Sequence, residues 1–165
     1  MNYVFPLNQA AVPIAGSHAL FPVRRIYCVG RNYAEHAKEM GFDTRELPFF
    51  FCKPADAAVP LSQDTPGKIA IPPRTENFQH EIELVVAIGK SGSNIPVDQA
   101  DAHVFGYAVG LDMTRRDLQF ALRDKGRPWE LGKAFDQSAP IATIHPRSET
   151  GIIDKGAIWL KVNGQ

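Results

Sequence analysis

Apolar residues recur along the chain mainly at the spacing of strands, and only two segments have the spacing of helices. Segments rich in β-branched and aromatic residues predict strands over residues 24–29, 49–52, 82–88, 104–111 and 157–162. Helices are predicted over residues 33–40 and 114–125, the second with Leu118 and Leu122 one helical turn apart. Residues 1–25 carry several prolines and no helical period, so we expect an extended arm and loop there.

The last residues of the sequence have the form of an interrupted hairpin. Asn163-Gly164 is a typical two-residue turn, which brings a second strand back beside the first. The sequence ends at Gln165, so we expect a domain that is truncated at its C-terminus. Alternatively, the segment 157–162 pairs with an earlier strand and the turn is a frayed end. A length of 165 residues suits one domain, predicted as an arm over 1–25 and an incomplete domain over 26–165.

Charge and apolar content exclude several classes of protein. Eighteen basic residues balance eighteen acidic ones, so the chain lacks the positive field typical of proteins that bind nucleic acid or anionic lipid. The sequence has neither a secretory signal nor an apolar stretch as long as a membrane span. Cys28 and Cys52 stand in apolar surroundings and are expected to be buried, reduced thiols, which predicts a cytoplasmic protein.

Three carboxylates lie at the start of the clearest predicted strand and at the end of the next one. Glu81 and Glu83 are two residues apart, so on a strand they point to the same face, where their like charges need a neutralising cation or base. Asp112 ends the next strand and can face the same pocket. Three oxygen ligands without cysteine favour Mg²⁺, Mn²⁺ or Ca²⁺ over zinc. The alternatives are a solvated strand edge for the two glutamates and a helix cap for Asp112.

Polar residues on the second predicted helix and just after it could serve a ligand near these acids. Arg116 and Gln119 project from one helical face, and a guanidinium there could hold a substrate carboxylate with two hydrogen bonds. Lys133, in Leu-Gly-Lys-Ala-Phe, is either a surface lysine whose stem covers apolar neighbours or a buried group that contacts a ligand. Burial of its ammonium would distinguish the two interpretations.

His36 and Glu39 form a candidate proton-transfer pair on the first predicted helix. Their spacing of three residues places them on the same helical face, where the carboxylate can orient the imidazole and raise its basicity. A histidine so placed can take a proton from water and later return it to a leaving carbon. An incidental surface pair is the alternative.

Five motifs, in this order along the chain, resemble those of the fumarylacetoacetate hydrolase family. They are Gly30-Arg31-Asn32-Tyr33-Ala34-Glu35-His36, Phe51-Cys52-Lys53-Pro54, His80-Glu81-Ile82-Glu83-Leu84, Gly110-Leu111-Asp112-Met113-Thr114-Arg115-Arg116-Asp117 and Gly132-Lys133-Ala134-Phe135-Asp136. From residue 24 onward the sequence is most similar to the fumarylpyruvate hydrolases of gentisate breakdown. The resemblance implies an α+β, mostly β fold, a mixed β-sheet roll of the family's C-terminal-domain type that works as a homodimer.

The resemblance also implies a role for each matched residue. It assigns metal ligation to Glu81, Glu83 and Asp112, acid–base chemistry to His36 and Glu39, and substrate contact to Arg116, Gln119, Lys53 and Lys133. The implied cofactor is Mg²⁺, with Mn²⁺ or Ca²⁺ as alternatives. Lys133 would also be catalytic, because it would stabilise the oxyanion that forms when water attacks a carbonyl.

The implied activity is metal-dependent hydrolysis of a carbon–carbon bond in an acylpyruvate-type diketo acid, with fumarylpyruvate giving fumarate and pyruvate. The same chemistry would serve decarboxylation of oxaloacetate, hydrolysis of other acylpyruvates or isomerisation of unsaturated diacids. From another class, the chain could be a catalytically silent metal-binding fragment. The family's later Thr-Gly-Thr-Pro-x-Gly segment, which closes the pocket, is absent from these 165 residues.

Overall fold

The computed structural model describes residues 2–30, 32–33, 47–62 and 65–165, and strands dominate it. In chain order the strands are β1 (Ala11–Pro13), β2 (Leu20–Pro22), β3 (Ile26–Gly30), β4 (Phe49–Lys53), β5 (Ala58–Pro60), β6 (Phe78–Gln79), β7 (Ile82–Ile88), β8 (Val104–Leu111), β9 (Thr114–Arg115), β10 (Ala139–Ile141) and β11 (His145–Pro146). The helices are α1 (Arg116–Arg123), α2 (Glu130–Lys133) and α3 (Arg147–Thr150), with 3-10 turns at Ala55–Ala57 and Val97–His103. Within these ranges no helix combines the length and the apolar character that crossing a membrane requires.

Strand β8 is the centre of a five-stranded mixed sheet. It pairs antiparallel with β7 on one side, from Leu111 opposite Ile82 to Val104 opposite Ile88. On its other side lie β10 and β11, both antiparallel to it. Strand β5 completes the sheet in parallel with β10. The predicted mixed, mostly β fold is therefore confirmed.

The N-terminal residues contain two short strands, which pair with one another and enter the core. Strands β1 and β2 form a small antiparallel hairpin with Val12 opposite Phe21. Val12 is only 1% exposed. The other buried members of its apolar cluster are Val23, Ala87, Ala108, Ile141 and Ile144. Sequence pattern missed this hairpin because each of its strands has only three residues and ends in proline, which is too short for alternation to be seen.

Most of the predicted elements agree with the structure to within two residues. Strands β7 and β8 have the predicted bounds, and β3 and β4 differ from the segments 24–29 and 49–52 only at their ends. Helix α1 begins at Arg116 rather than at residue 114, because the two residues before it pair with β6 as strand β9. The predicted helix 33–40 lies, after Tyr33, outside the described residues.

The predicted strand over residues 157–162 is wrong. The segment belongs to no strand, because a strand needs a partner for its backbone groups and no described strand pairs with it. The turn that follows does have the predicted form. Val162 and Gln165 exchange backbone hydrogen bonds of 2.9 and 3.1 Å, while Asn163 and Gly164 have φ values of 53° and 83°.

Candidate active site

The antiparallel register of β7 and β8 brings the predicted acidic residues together. Glu81 precedes β7 and Asp112 follows β8. The Asp112 N–H donates to the Glu81 carbonyl over 2.8 Å, and the Glu81 N–H donates to the Asp112 carbonyl over 3.3 Å. Glu83, opposite Gly110 on β8, shares the strand face of Glu81. The three carboxylates therefore lie at the same end of the central sheet.

Lys133 places its ammonium between two of these carboxylates. The residue is only 2% exposed. Its Nζ donates hydrogen bonds of 2.7 Å each to Glu81 Oε2, Asp112 Oδ2 and Thr114 Oγ1. An ammonium group has three donors, so all of them are used. Of the two interpretations that the sequence left open for Lys133, the structure therefore supports the buried group.

A close approach of two helices positions Lys133. The residue ends α2, and a Cβ added to the preceding Gly132 would lie 2.9 Å from the backbone nitrogen of Gln119 on α1 and 3.0 Å from its Cα. Only glycine permits this contact without a shift of the backbone. Gly132 thus lets α2 pack closely on α1 and directs the next residue toward the carboxylates.

A second buried lysine, Lys53 at the end of β4, holds Asp112 from another side. Its Nζ lies 2.8 Å from Asp112 Oδ1 and forms an ion pair with it. It donates hydrogen bonds to the carbonyls of Lys133 and, over 3.2 Å, Met113. Burial lowers the pKa of Lys53, and the charge of Asp112 opposes that effect. Lys53 therefore fixes Asp112 here, and its contact with substrate stays a prediction.

The predicted pair Arg116 and Gln119 lies beside Glu81. The Arg116 guanidinium donates hydrogen bonds to Glu81, to Gln119 Oε1 and, over 2.7 Å, to Gln79 Oε1. Burial alone would raise the pKa of Glu81, but the charges and hydrogen bonds of Lys133 and Arg116 outweigh burial and lower it. Arg116 thus orients a carboxylate of the protein. Its contact with a substrate carboxylate stays a prediction.

Glu83 differs from the other two acids because it has no ion-pair partner within the described part of the chain. Burial first, and then the negative charges of Asp112 and Glu81, raise its pKa to about 7, although a hydrogen bond with the Tyr33 hydroxyl lowers it. The same hydroxyl accepts the N–H of Leu84 over 3.2 Å. A nearby cation would relieve the repulsion that Glu83 experiences.

The donor atoms at this end of the sheet fit a hard divalent cation. In the present arrangement no three His, Cys, Asp or Glu side chains of the described ranges form a metal-binding group, and Lys133 stands between Glu81 and Asp112. The raised pKa of Glu83, which burial and the charges of Asp112 and Glu81 cause, nevertheless favours a further positive charge. Carboxylate oxygens are the ligands that Mg²⁺, Mn²⁺ and Ca²⁺ prefer.

Sequence reasoning missed two polar side chains of the site. Thr114 is 0% exposed and accepts a hydrogen bond from Lys133, and Gln79 accepts one from Arg116. Both residues belong to the β6–β9 pair, whose strands have two residues each. Such strands are too short for alternation to reveal them. Thr114 could have been found from its spacing of two residues after Asp112, which places both side chains on one face of an extended chain.

The two cysteines differ in exposure. Cys28 is partly buried, and burial, followed by the charge of Asp112, raises the pKa of its thiol to about 12. Cys52 was predicted to be buried, but it is exposed. The difference between the two cysteines follows from the alternation of side chains along the paired strands β3 and β4. Cys28 pairs with Phe51, whose ring lies 5.2 Å from Lys133 Nζ, whereas Cys52 pairs with Tyr27, which is 58% exposed.

The predicted acid–base pair cannot be placed beside these residues. His36 and Glu39 both lie outside the described residues, so their role stays a prediction. The described residue nearest to them on the N-terminal side is Tyr33, which contacts β7 next to Glu83.

The mixed sheet, with acids and buried lysines at one end, is that of a family of enzymes. Residues 25–165 match the fumarylacetoacetate (FAA) hydrolase C-terminal family, and the chain belongs to this family. The fold class expected from the resemblance is thereby confirmed.

Three similar proteins indicate which activities occur among the relatives of this chain. The crystal structure of fumarylpyruvate hydrolase from Pseudomonas aeruginosa, in complex with Mn²⁺ and pyruvate, matches with a TM-score of 0.88 and 60% identity over 91% of this chain and 65% of that chain. A fumarylpyruvate hydrolase from Ralstonia sp is 46% identical over 120 residues, which are 73% of this chain and 60% of that protein. A mitochondrial oxaloacetate decarboxylase from Dictyostelium discoideum is 41% identical over 142 residues, 86% of this chain and 64% of that protein. This chain therefore spans less than two thirds of the length of these curated relatives, which are enzymes.

Proposed function

We propose that this chain carries the catalytic centre of a divalent-metal-dependent hydrolase that cleaves a carbon–carbon bond in an acylpyruvate. Fumarylpyruvate is the favoured substrate, with fumarate and pyruvate as products. One observation carries the proposal: Glu81, Glu83 and Asp112 lie at the same end of the central sheet, and the buried ammonium of Lys133 stands between Glu81 and Asp112. The 60% identity to the fumarylpyruvate hydrolase of Pseudomonas aeruginosa supports the choice of substrate.

The three acids would hold the cation, for which Mg²⁺ and Mn²⁺ are the candidates. The Mn²⁺ and pyruvate in the structure of the Pseudomonas aeruginosa relative support both the ion and the product. When bound, the ion would supply positive charge for the electrons that remain on the carbon of the departing pyruvate. Deprotonated Glu83 would be one of its ligands, so protonation of this side chain should oppose metal binding.

The charges of the site favour a substrate with two carboxylates. The site contains three acids and three cations, and the cations, which are Lys53, Lys133 and Arg116, pair with Glu81 and Asp112. This group is formally neutral, so a divalent ion would leave an excess positive charge of two in a largely buried setting, and a dianion would balance it. Fumarylpyruvate and oxaloacetate are both dianions at neutral pH. The balance therefore favours them over acylpyruvates with a single carboxylate.

The remaining side chains of the site would bind the substrate, transfer protons and stabilise negative charge. Lys133 would donate a hydrogen bond to the carbonyl oxygen that gains negative charge as water adds, and for this it has to give up one of its three present acceptors. His36, oriented by Glu39, would take the proton of that water and return it to the leaving carbon, an assignment that the family resemblance supports. Arg116 and Gln119 would hold a substrate carboxylate. For this, Arg116 has to exchange one of its present protein acceptors for the substrate.

Decarboxylation of oxaloacetate is the second candidate function. It is favoured by the 41% identity to the oxaloacetate decarboxylase of Dictyostelium discoideum, which extends over 86% of this chain. The reaction needs the same positive charge near the 2-oxo acid, which would take up the electrons that remain when carbon dioxide leaves. The described side chains would serve both reactions, because both release pyruvate as an enolate.

A substrate panel tests the two candidates. The 165-residue chain is stripped of metal with EDTA, reloaded with Mn²⁺ or Mg²⁺, and incubated with fumarylpyruvate, oxaloacetate and a monocarboxylic acylpyruvate. Released pyruvate is measured against controls with metal but no protein, since metal ions alone decarboxylate oxaloacetate. We expect metal-dependent turnover that is fastest with fumarylpyruvate. Faster turnover of oxaloacetate would favour the second candidate, and metal-dependent thermal stabilisation without any turnover would contradict both.

A further inference from the structure

Thr114 is the third hydrogen-bond partner of the Lys133 ammonium, and it is fully enclosed, with 0% of its surface exposed. Its hydroxyl accepts a hydrogen bond from Lys133 Nζ over 2.7 Å and donates one to the backbone carbonyl of Asp112 over 3.1 Å. A hydroxyl has one proton, so the bond to Asp112 fixes its rotation and directs a lone pair toward Lys133. The backbone of Thr114 is fixed in turn by its pairing with Gln79.

The three acceptors of Lys133 are not equivalent. Glu81 and Asp112 are charged, and they are proposed ligands of the metal ion, so the ion and the ammonium would share their oxygens. Thr114 Oγ1 is neutral and already bonded to the backbone. It can therefore keep its contact with Lys133 when the two acids turn to a cation, and it does so without cancelling the charge that Lys133 offers to a substrate oxygen.

From this geometry we infer that Thr114 is a positioning residue whose hydroxyl holds Lys133 Nζ where the substrate oxygen gains its negative charge. The inference rests on the proposed function for the identity of the reaction, but the contact itself is measurable without turnover. Position matters because a displacement of about 1 Å in an active site can cost about 10²-fold in rate. Valine has the shape of threonine without the hydroxyl, and serine keeps the hydroxyl, so T114V and T114S form a matched pair.

The first experiment observes the ammonium groups of the metal-free chain by ¹⁵N NMR. A buried ammonium with three hydrogen bonds exchanges its protons slowly, so its Nζ–H signal is visible, and the K133M variant identifies the signal of Lys133. We expect this signal to broaden or disappear in T114V and to persist in T114S. The signal of Lys53, which bonds the carbonyls of Met113 and Lys133 rather than the Thr114 hydroxyl, is the internal control. An unchanged Lys133 signal in T114V would overturn the inference.

The second experiment measures turnover of the substrate that the panel selects. We expect kcat of T114V to fall by about 10- to 100-fold, with KM and the Kd for Mn²⁺ within about threefold of wild type, and T114S to restore most of the loss. T114A replaces T114V if the valine variant does not fold. A change confined to KM, or equal losses in T114S and T114V, would contradict a positioning role. Absence of wild-type turnover would reject the proposed function. The NMR experiment would still show whether the Thr114 hydroxyl holds the Lys133 ammonium.

Discussion

Replacing Asp112 with asparagine should strongly destabilise the metal-free chain, because its carboxylate lies between two buried ammonium groups. Oδ1 is 2.8 Å from Lys53 Nζ and Oδ2 is 2.7 Å from Lys133 Nζ, and the two lysine side chains are 1% and 2% exposed. D112N keeps the shape of the side chain but removes its charge, so the two cations lose part of their compensation. Loss of one partner from a buried ion pair costs about 3–5 kcal/mol.

Urea unfolding in the presence of EDTA measures this loss from the midpoint and slope of the transition. D124N is the matched control. Asp124 pairs with Arg123 at 2.9 Å, but its side chain is 64% exposed, and such surface pairs contribute at most about 1 kcal/mol. A domain of this size has a free energy of unfolding of about 5–15 kcal/mol. We therefore expect D112N to lose a large share of its stability and D124N to unfold near the wild-type midpoint.

A second substitution separates the effect of charge from that of packing. K53M removes one of the two ammonium groups, so the K53M/D112N variant should be more stable than D112N by about 1–3 kcal/mol, although each change alone destabilises the chain. Two results would refute the reasoning. One is a D112N variant whose free energy of unfolding lies within about 1 kcal/mol of wild type. The other is a double variant that is less stable than D112N.

Three further predictions concern other parts of the site. The pKa of Glu83 is raised from 4.5 to about 7, so the metal-free folded state binds more protons than the unfolded state between these values. The stabilising contribution of protonated Glu83 is complete below pH 4.5 and is lost as pH rises through 7. The melting temperature should therefore change less between pH 5 and pH 8 for E83Q than for wild type. G132A should lower the free energy of unfolding by about 1–2 kcal/mol, because its Cβ would meet the Gln119 backbone at 2.9 Å, whereas G156A, with open space around it, should be neutral. H36A should cut turnover by about 10² to 10⁴, the usual contribution of a general base, and unchanged turnover in a folded variant would remove His36 from that role.

The acidic part of the site could be predicted because it depends on local rules. Alternation along one strand places Glu81 and Glu83 on the same face, and the next strand along the chain pairs with the first in most sheets. The register that sets Ile82 opposite Leu111 then puts Asp112 beside Glu81 without any long-range information. For the same reason the bounds of β7 and β8 agree with the prediction, whereas the predicted strand 157–162, which lacks a partner within the described ranges, does not form.

The basic part of the site depends on contacts that no local pattern contains. Lys53 donates to the backbone carbonyl of Lys133, 80 residues further along the chain. The helix that carries Lys133 has four residues, too few to show a period, and its place is set by the contact of Gly132 with α1. A single lysine between apolar residues is more often at the surface than buried, so only tertiary packing shows that this one is enclosed.

Compensation of charge within the chain explains how an acidic site can fold before any cation binds. Lys133 and Arg116 pair with Glu81, and Lys53 and Lys133 pair with Asp112. Within the described residues Glu83 pairs with no cation, and its pKa is raised to about 7. A divalent ion at the site would relieve the repulsion that Glu83 experiences from Asp112 and Glu81. E83Q removes a proposed ligand but leaves the four ion pairs of Glu81 and Asp112 in place, so it should weaken Mn²⁺ binding without unfolding the chain.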